Sequence, residues 1–237
     1  MFKQSLSSRA RYILGRVNKL ATTHPDRNAF SIALLFPICT RETLEILLRL
    51  PGFLAYCEPE AGGPGTRLPA PEIPKRLFRN LRPRVRRGIP VPWSDEDEPL
   101  PFLRYLFYLH NTRGVIAGPP KCGLYGSCAL TKAVVAGFVP LVKFLLRNGG
   151  DPGVKSDILV LAAIQKKDLP MLRLLVEGDP DNSTGAKRRR VSDRIACTRT
   201  MLGRAVRVEA HDIIRYLIAK GVTPDLQTLQ LLPLDRA

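Results

Sequence analysis

The 237-residue chain carries 37 Lys and Arg against 21 Asp and Glu, a formal net charge of +16, with 45% hydrophobic and 24% charged residues. That balance is ordinary for a globular chain, and the length suits one or two domains with a proper core. The longest apolar run, Ala29 to Cys39, is too short to span a bilayer and contains Pro37, so no membrane segment is expected.

The excess charge has definite locations. Lys3, Arg9, Arg11, Arg16 and Lys19 lie in residues 1–25, and Lys75, Arg76, Arg79, Arg82, Arg84, Arg86 and Arg87 in residues 75–87. Lys187, Arg188, Arg189 and Arg190 complete the set, and none of the three segments holds an acid. Those sixteen cations leave 21 basic against 21 acidic residues elsewhere, so the body of the chain is neutral. Five irregularly spaced cysteines predict reduced thiols and not a disulfide framework. Cys122 and Cys128 have no second close pair, so no metal site is expected.

In chain order, residues 5–21 predict an amphipathic helix with Leu6, Ala10, Ile13, Leu14, Val17, Leu20 and Ala21 on one stripe. It reads first as a cap over the open end of a helical stack. Its Arg- and Ser-rich, acid-free composition also fits a mitochondrial presequence. Residues 28–52 predict two short helices, around Ile32–Leu35 and Thr43–Leu48, with Cys39-Thr40 between them. Residues 57–100 read as a Pro- and Gly-rich charged insertion, expected to be flexible, with a short helix from Lys75 to Pro83 as its one regular piece. Pro101 to Phe107 predicts another helix, and residues 111–125 a long Gly- and Pro-rich finger.

The best-formed unit spans residues 128–152. Ala129, Ala133 and Ala136 give a first helix a slim packing face. Gly137 separates it from a bulkier second helix that starts at Pro140 and stops at Gly149, Gly150 and Asp151-Pro152. Ala162–Ile164 and Pro170–Leu175, ending in Gly178-Asp179-Pro180, repeat the unit. Met201–Val206 and Ile213–Ile218, ending near Gly221, repeat it again after a basic loop at 181–198. A final short helix is expected over 225–232. Helix pairs of this size cannot bury their apolar faces alone, whereas stacked pairs share one core.

These units resemble ankyrin repeats, well over 128–224 and weakly over 28–52. The family's Thr-Pro-Leu-His start is absent: Cys128-Ala129-Leu130-Thr131 and Thr200-Met201-Leu202-Gly203 stand in its place. The resemblance implies an all-α fold, a short ankyrin-like helical-repeat solenoid of roughly four to five irregular helix pairs with a Pro-rich basic insertion. The expected division is 1–56 (cap and degenerate repeat), 57–100 (insertion) and 101–237 (repeats).

Chemistry finds little footing. His24, His110 and His211 lie apart from any nucleophile motif. Gly114 to Lys121 fails as a phosphate loop because Pro119 and Pro120 donate no backbone N–H. Gly126-Ser127-Cys128 lacks the second flanking Gly of a nucleophile elbow. No catalytic residue and no cofactor are expected. The expected function is a non-enzymatic protein–protein interaction module, a scaffold or adaptor acting in the cytoplasm or nucleus, with the mitochondrion as the alternative.

By the resemblance, partner contacts fall on Lys121, Leu124 and Tyr125 of the finger, then Lys132, Val135, Lys155, Gln165, Lys166, Arg204, Arg207 and Val208 along the first-helix face. The second reading is nucleic-acid association through residues 75–87 and 187–190, the latter also fitting a nuclear-import signal. Ser192 after Arg189-Arg190-Val191, and Ser94 before four acids, resemble kinase sites; phosphate at Ser192 would offset the adjacent basic run.

Overall fold

A computed structural model describes residues 5–23, 29–50, 53, 71–111, 120, 126–150, 152, 156–178 and 195–231. Among these, the chain forms eleven α-helices, one 3-10 turn and one two-stranded hairpin, so the expected all-α class holds. The chain divides into two compact units, Met1–Asn80 with Asp95–Tyr125, and Leu81–Ser94 with Gly126–Ala237. The expected insertion is thus shared between the two units.

In the first unit, α1 (Leu6–Thr23) packs on α2 (Ala29–Leu35) and α3 (Arg41–Leu47). Ala10, Ile13 and Val17, one helical stripe, are fully buried, as are Leu34 of α2 and Leu44 and Leu47 of α3, while Arg11, Arg16 and Lys19 stay exposed. Between α2 and α3 no glycine turns the chain. Thr40 caps α3, accepting from the Thr43 N–H at 3.4 Å. Arg76, from the expected loop, reaches back to this turn: Nε donates to the Leu34 carbonyl at 2.7 Å and Nη2 to the Cys39 carbonyl at 3.3 Å. A helix C-terminus leaves carbonyls such as that of Leu34 without intrahelical partners, and the half-buried Arg76 guanidinium supplies a donor there. The helix α4 (Leu100–Asn111) buries Leu100, Leu103, Leu106 and Leu109 completely.

The second unit is three helix pairs and a closing helix: α5 (Gly126–Ala136) with α6 (Val139–Arg147), α7 (Ser156–Gln165) with α8 (Leu169–Val176), α9 (Arg199–Arg207) with α10 (His211–Ala219), then α11 (Leu226–Leu231). Each first helix packs on its own second helix; α7 also packs between α5 and α9, and α11 lies on α9. The small residues of α5 behave as their pattern predicts, with Ala129, Ala133 and Ala136 all buried.

The turn inside each pair has one backbone form, used three times. Gly137, Lys167 and Glu209 take φ of 72°, 55° and 53°. The next residue donates its N–H five back, Phe138 to Ala133, Asp168 to Ala163 and Ala210 to Ala205, at 2.9–3.0 Å. This is the left-handed C-cap that satisfies a helix's last carbonyls. Glycine was the expected signal, and it is present only at Gly137.

Residues 71–100, within the expected insertion, hold regular pieces. Lys75–Phe78 form a 3-10 turn with Phe78 buried, and Leu81 is buried in the second unit. The hairpin β1 (Val85–Arg86) and β2 (Ile89–Pro90) follows, with Arg86 opposite Ile89 and Val85 opposite Pro90. Arg87 and Gly88, at φ 52° and 81°, make a two-residue turn of the kind whose twist matches paired strands. Residues 57–70 lie outside the described residues.

Candidate functional site

Because the pair turns superpose in register, residues 135, 165 and 207 are equivalent positions on α5, α7 and α9, as are 132, 162 and 204. Val135, Gln165 and Arg207 are all exposed, and so are Lys132 and Arg204. Neighbouring first helices are tied across this face. Lys166 Nζ donates to the Val135 carbonyl, and Arg204 Nη2 donates to Gln165 Oε1. Partial burial pushes the Lys166 ammonium below its ordinary pKa, with Asp168 acting in the opposite sense. Ile158, two turns before Gln165 on α7, is 53% exposed, and Val135 is 39% exposed. The face therefore offers two uncovered aliphatic side chains among Lys132, Lys166, Arg204 and Arg207.

Six residues expected on the partner face, Lys132, Val135, Gln165, Lys166, Arg204 and Arg207, thus fall on one row of helices that pack in sequence. Val208 is half-buried at the end of α9. Lys121, Leu124, Tyr125 and Lys155, together with Lys187–Arg190, Ser192 and the Cys122/Cys128 pair, lie outside the residues whose side chains are described.

A second feature went unread in the sequence. Trp93, after the hairpin, stacks on Phe138 with ring centres 4.5 Å apart and planes 10° from parallel. Its Nε1 donates to the Ala136 carbonyl at 3.0 Å, and the Arg84 guanidinium sits 3.7 Å over its ring. The base of the hairpin is therefore pinned to the α5–α6 turn, and Arg82 through Ile89 are all exposed beyond it. The available signal was Arg87-Gly88 between Val85 and Ile89, a turn pair flanked by strand formers.

The seven cations of 75–87 have unequal roles. Lys75, Arg76 and Arg79 belong to the first unit, where Arg76 is committed to backbone carbonyls; Arg82, Arg84, Arg86 and Arg87 belong to the hairpin segment of the second.

In the first unit a pocket of about 670 Å³ is lined by α3, α4 and residues 95–96. Its charges largely answer one another: Arg41 pairs with Glu45 at 3.2 Å and lies over the Tyr105 ring, and Arg104 pairs with Asp95 at 2.5 Å. Nearby, burial, reinforced by the Glu42 carboxylate, raises the Glu98 pKa. Glu42 itself is lowered, first by its own backbone N–H and then by the Thr40 hydroxyl.

Among the described residues, no three His, Cys, Asp or Glu side chains converge as metal ligands, and no helix is long and apolar enough to cross a membrane. Comparison with protein-family models, with curated proteins and with solved structures finds no match.

Proposed function

We propose that the protein is a non-enzymatic interaction module, an ankyrin-like helical-repeat scaffold or adaptor, that captures a protein partner on the row of first helices. The observation that carries this is the repeated pair turn at 137, 167 and 209, which sets Val135, Gln165 and Arg207 at equivalent exposed positions on adjacent helices. Side chains in such a row vary without disturbing the core, which lies on the opposite helix faces at Ala133, Ala163 and Ala205. Exposed aliphatics ringed by cations suit a partner that places an apolar residue between carboxylates.

The test is quantitative affinity purification of wild-type protein beside a Lys132→Glu/Arg204→Glu/Arg207→Glu variant. These three side chains are exposed, so the variant keeps the core. Selective loss of one or more co-purifying proteins is expected. An unchanged set of partners, with the variant folded, would overturn the reading.

A further inference from the structure

We infer that residues 82–91 form a cationic β-ribbon that docks on the phosphates of duplex DNA, in the major groove. Four arginines and no acid occur in this stretch, and Arg82, Arg86 and Arg87 have no carboxylate partner among the described residues. The ribbon is held in shape before any ligand arrives. Val91 N–H donates to the Arg84 carbonyl at 2.9 Å, Arg87-Gly88 closes the tip, and Trp93 fixes the base to Phe138. Preorganisation of this kind removes an ordering cost from binding.

The occupant follows from size and charge. Two paired strands lie about 4.8 Å apart, and with side chains such a ribbon fits the B-form major groove, about 12 Å wide, but not the deep, narrow groove of an RNA duplex. All four cations are arginines, whose planar fork suits phosphate oxygens. A lipid surface would call for apolar side chains at the apex. Here the apex is Arg87-Gly88, and exposed Val85 and Ile89 stand behind it. Arg86 and Ile89 are cross-strand partners on one face, so that face pairs a phosphate fork with an aliphatic group able to meet a base methyl.

The experiment compares the full chain with an Arg82→Ala/Arg86→Thr/Arg87→Asn variant. Threonine keeps strand preference and asparagine tolerates the positive φ of the turn. Trp93 emission, reporting from the ribbon's base, serves as the check that the fold is retained. Binding to a mixed-sequence DNA duplex is measured from about 50 to about 200 mM salt. Three phosphate contacts steepen the salt dependence by a slope of about 2.7, so wild-type affinity should fall about 40-fold more than the variant's across that range. This difference is independent of what other basic segments contribute. Equal slopes overturn the proposal. So does a variant that keeps duplex binding but loses binding to phosphatidylserine vesicles, which would assign the ribbon to a membrane surface. Equal loss on single-stranded DNA would overturn the groove placement.

Discussion

In the first unit, Cys39 is a buried thiol, 2% exposed. Burial pushes its thiol up to about 12, against a smaller opposite effect from Arg76. In the unfolded chain the thiol ionises near its ordinary value of about 8.5. The folded form thus holds a proton that the unfolded form releases above that pH, and stability falls as pH rises. A slope approaching about 1.4 kcal/mol per pH unit is expected above pH ~9. Urea midpoints of wild type and Cys39→Ala should therefore converge or cross between neutral and alkaline pH, and parallel curves would refute the assignment. At pH ~8, mass spectrometry after alkylation of the native protein should find Cys39 unmodified. In the second unit, half-buried Trp93 ties the hairpin to the α5–α6 turn. Trp93→Ala removes a ring stack, a hydrogen bond and a cation–π contact, and should cost about 2–3 kcal/mol.

At the scale of the element, three identical pair turns built from Gly137, Lys167 and Glu209 make a direct comparison. A side chain in the left-handed region costs about 1–2 kcal/mol, offset in part by the extra unfolded-state freedom of glycine. Lys167→Gly and Glu209→Gly should each stabilise the second unit by about 0.5–1 kcal/mol in chemical denaturation. Their failure to do so would mean that these side chains have compensating roles. The helix that follows each turn begins differently: Asp168 accepts from the Met171 N–H at 2.9 Å, whereas Phe138 and Ala210 give no side-chain cap. Asp168→Ala should therefore destabilise by about 1 kcal/mol, read from urea midpoints. The second helices are also stapled, since Tyr216 Oη donates to Glu177 Oε1 at 3.0 Å and Lys220 Nζ lies 3.0 Å from the same oxygen.

For the whole molecule, the sole tryptophan reads the second unit and Cys39 the first, so the two cores can be followed separately. Leu159 on α7 is fully buried in the helix that packs on α5, α8 and α9. Leu159→Ala should lower stability by about 3 kcal/mol, seen as an earlier red shift of Trp93 emission in urea. The net charge of +16 is not carried by these cores. It resides in segments that include an exposed ribbon, and in Arg76, whose charge is spent on two carbonyls. Counting cations along the chain treats both alike; only their surroundings separate a binding group from a structural one.

Much of the helical framework was legible in the sequence, because apolar spacing and local stops are written in neighbouring residues. The period of α1, the small face of α5, Pro140 in the first turn of α6 and Gly149 after it all follow from short-range sterics and hydrogen bonding. The candidate face was also partly legible, since Lys132, Val135, Gln165 and Arg204 occupy the outward positions of recurring helices. What the sequence could not determine depends on partners far along the chain. Lys167 and Glu209 adopt a turn that glycine alone would have announced, because packing of the flanking helices outweighs a strain of one or two kcal/mol. Arg76 and Trp93 looked like members of a loop, and their partners at Leu34, Cys39, Ala136 and Phe138 lie about 40 residues away in the chain. Only the tertiary structure places those side chains against the carbonyls and ring they serve, and by doing so it decides which arginines remain free to bind.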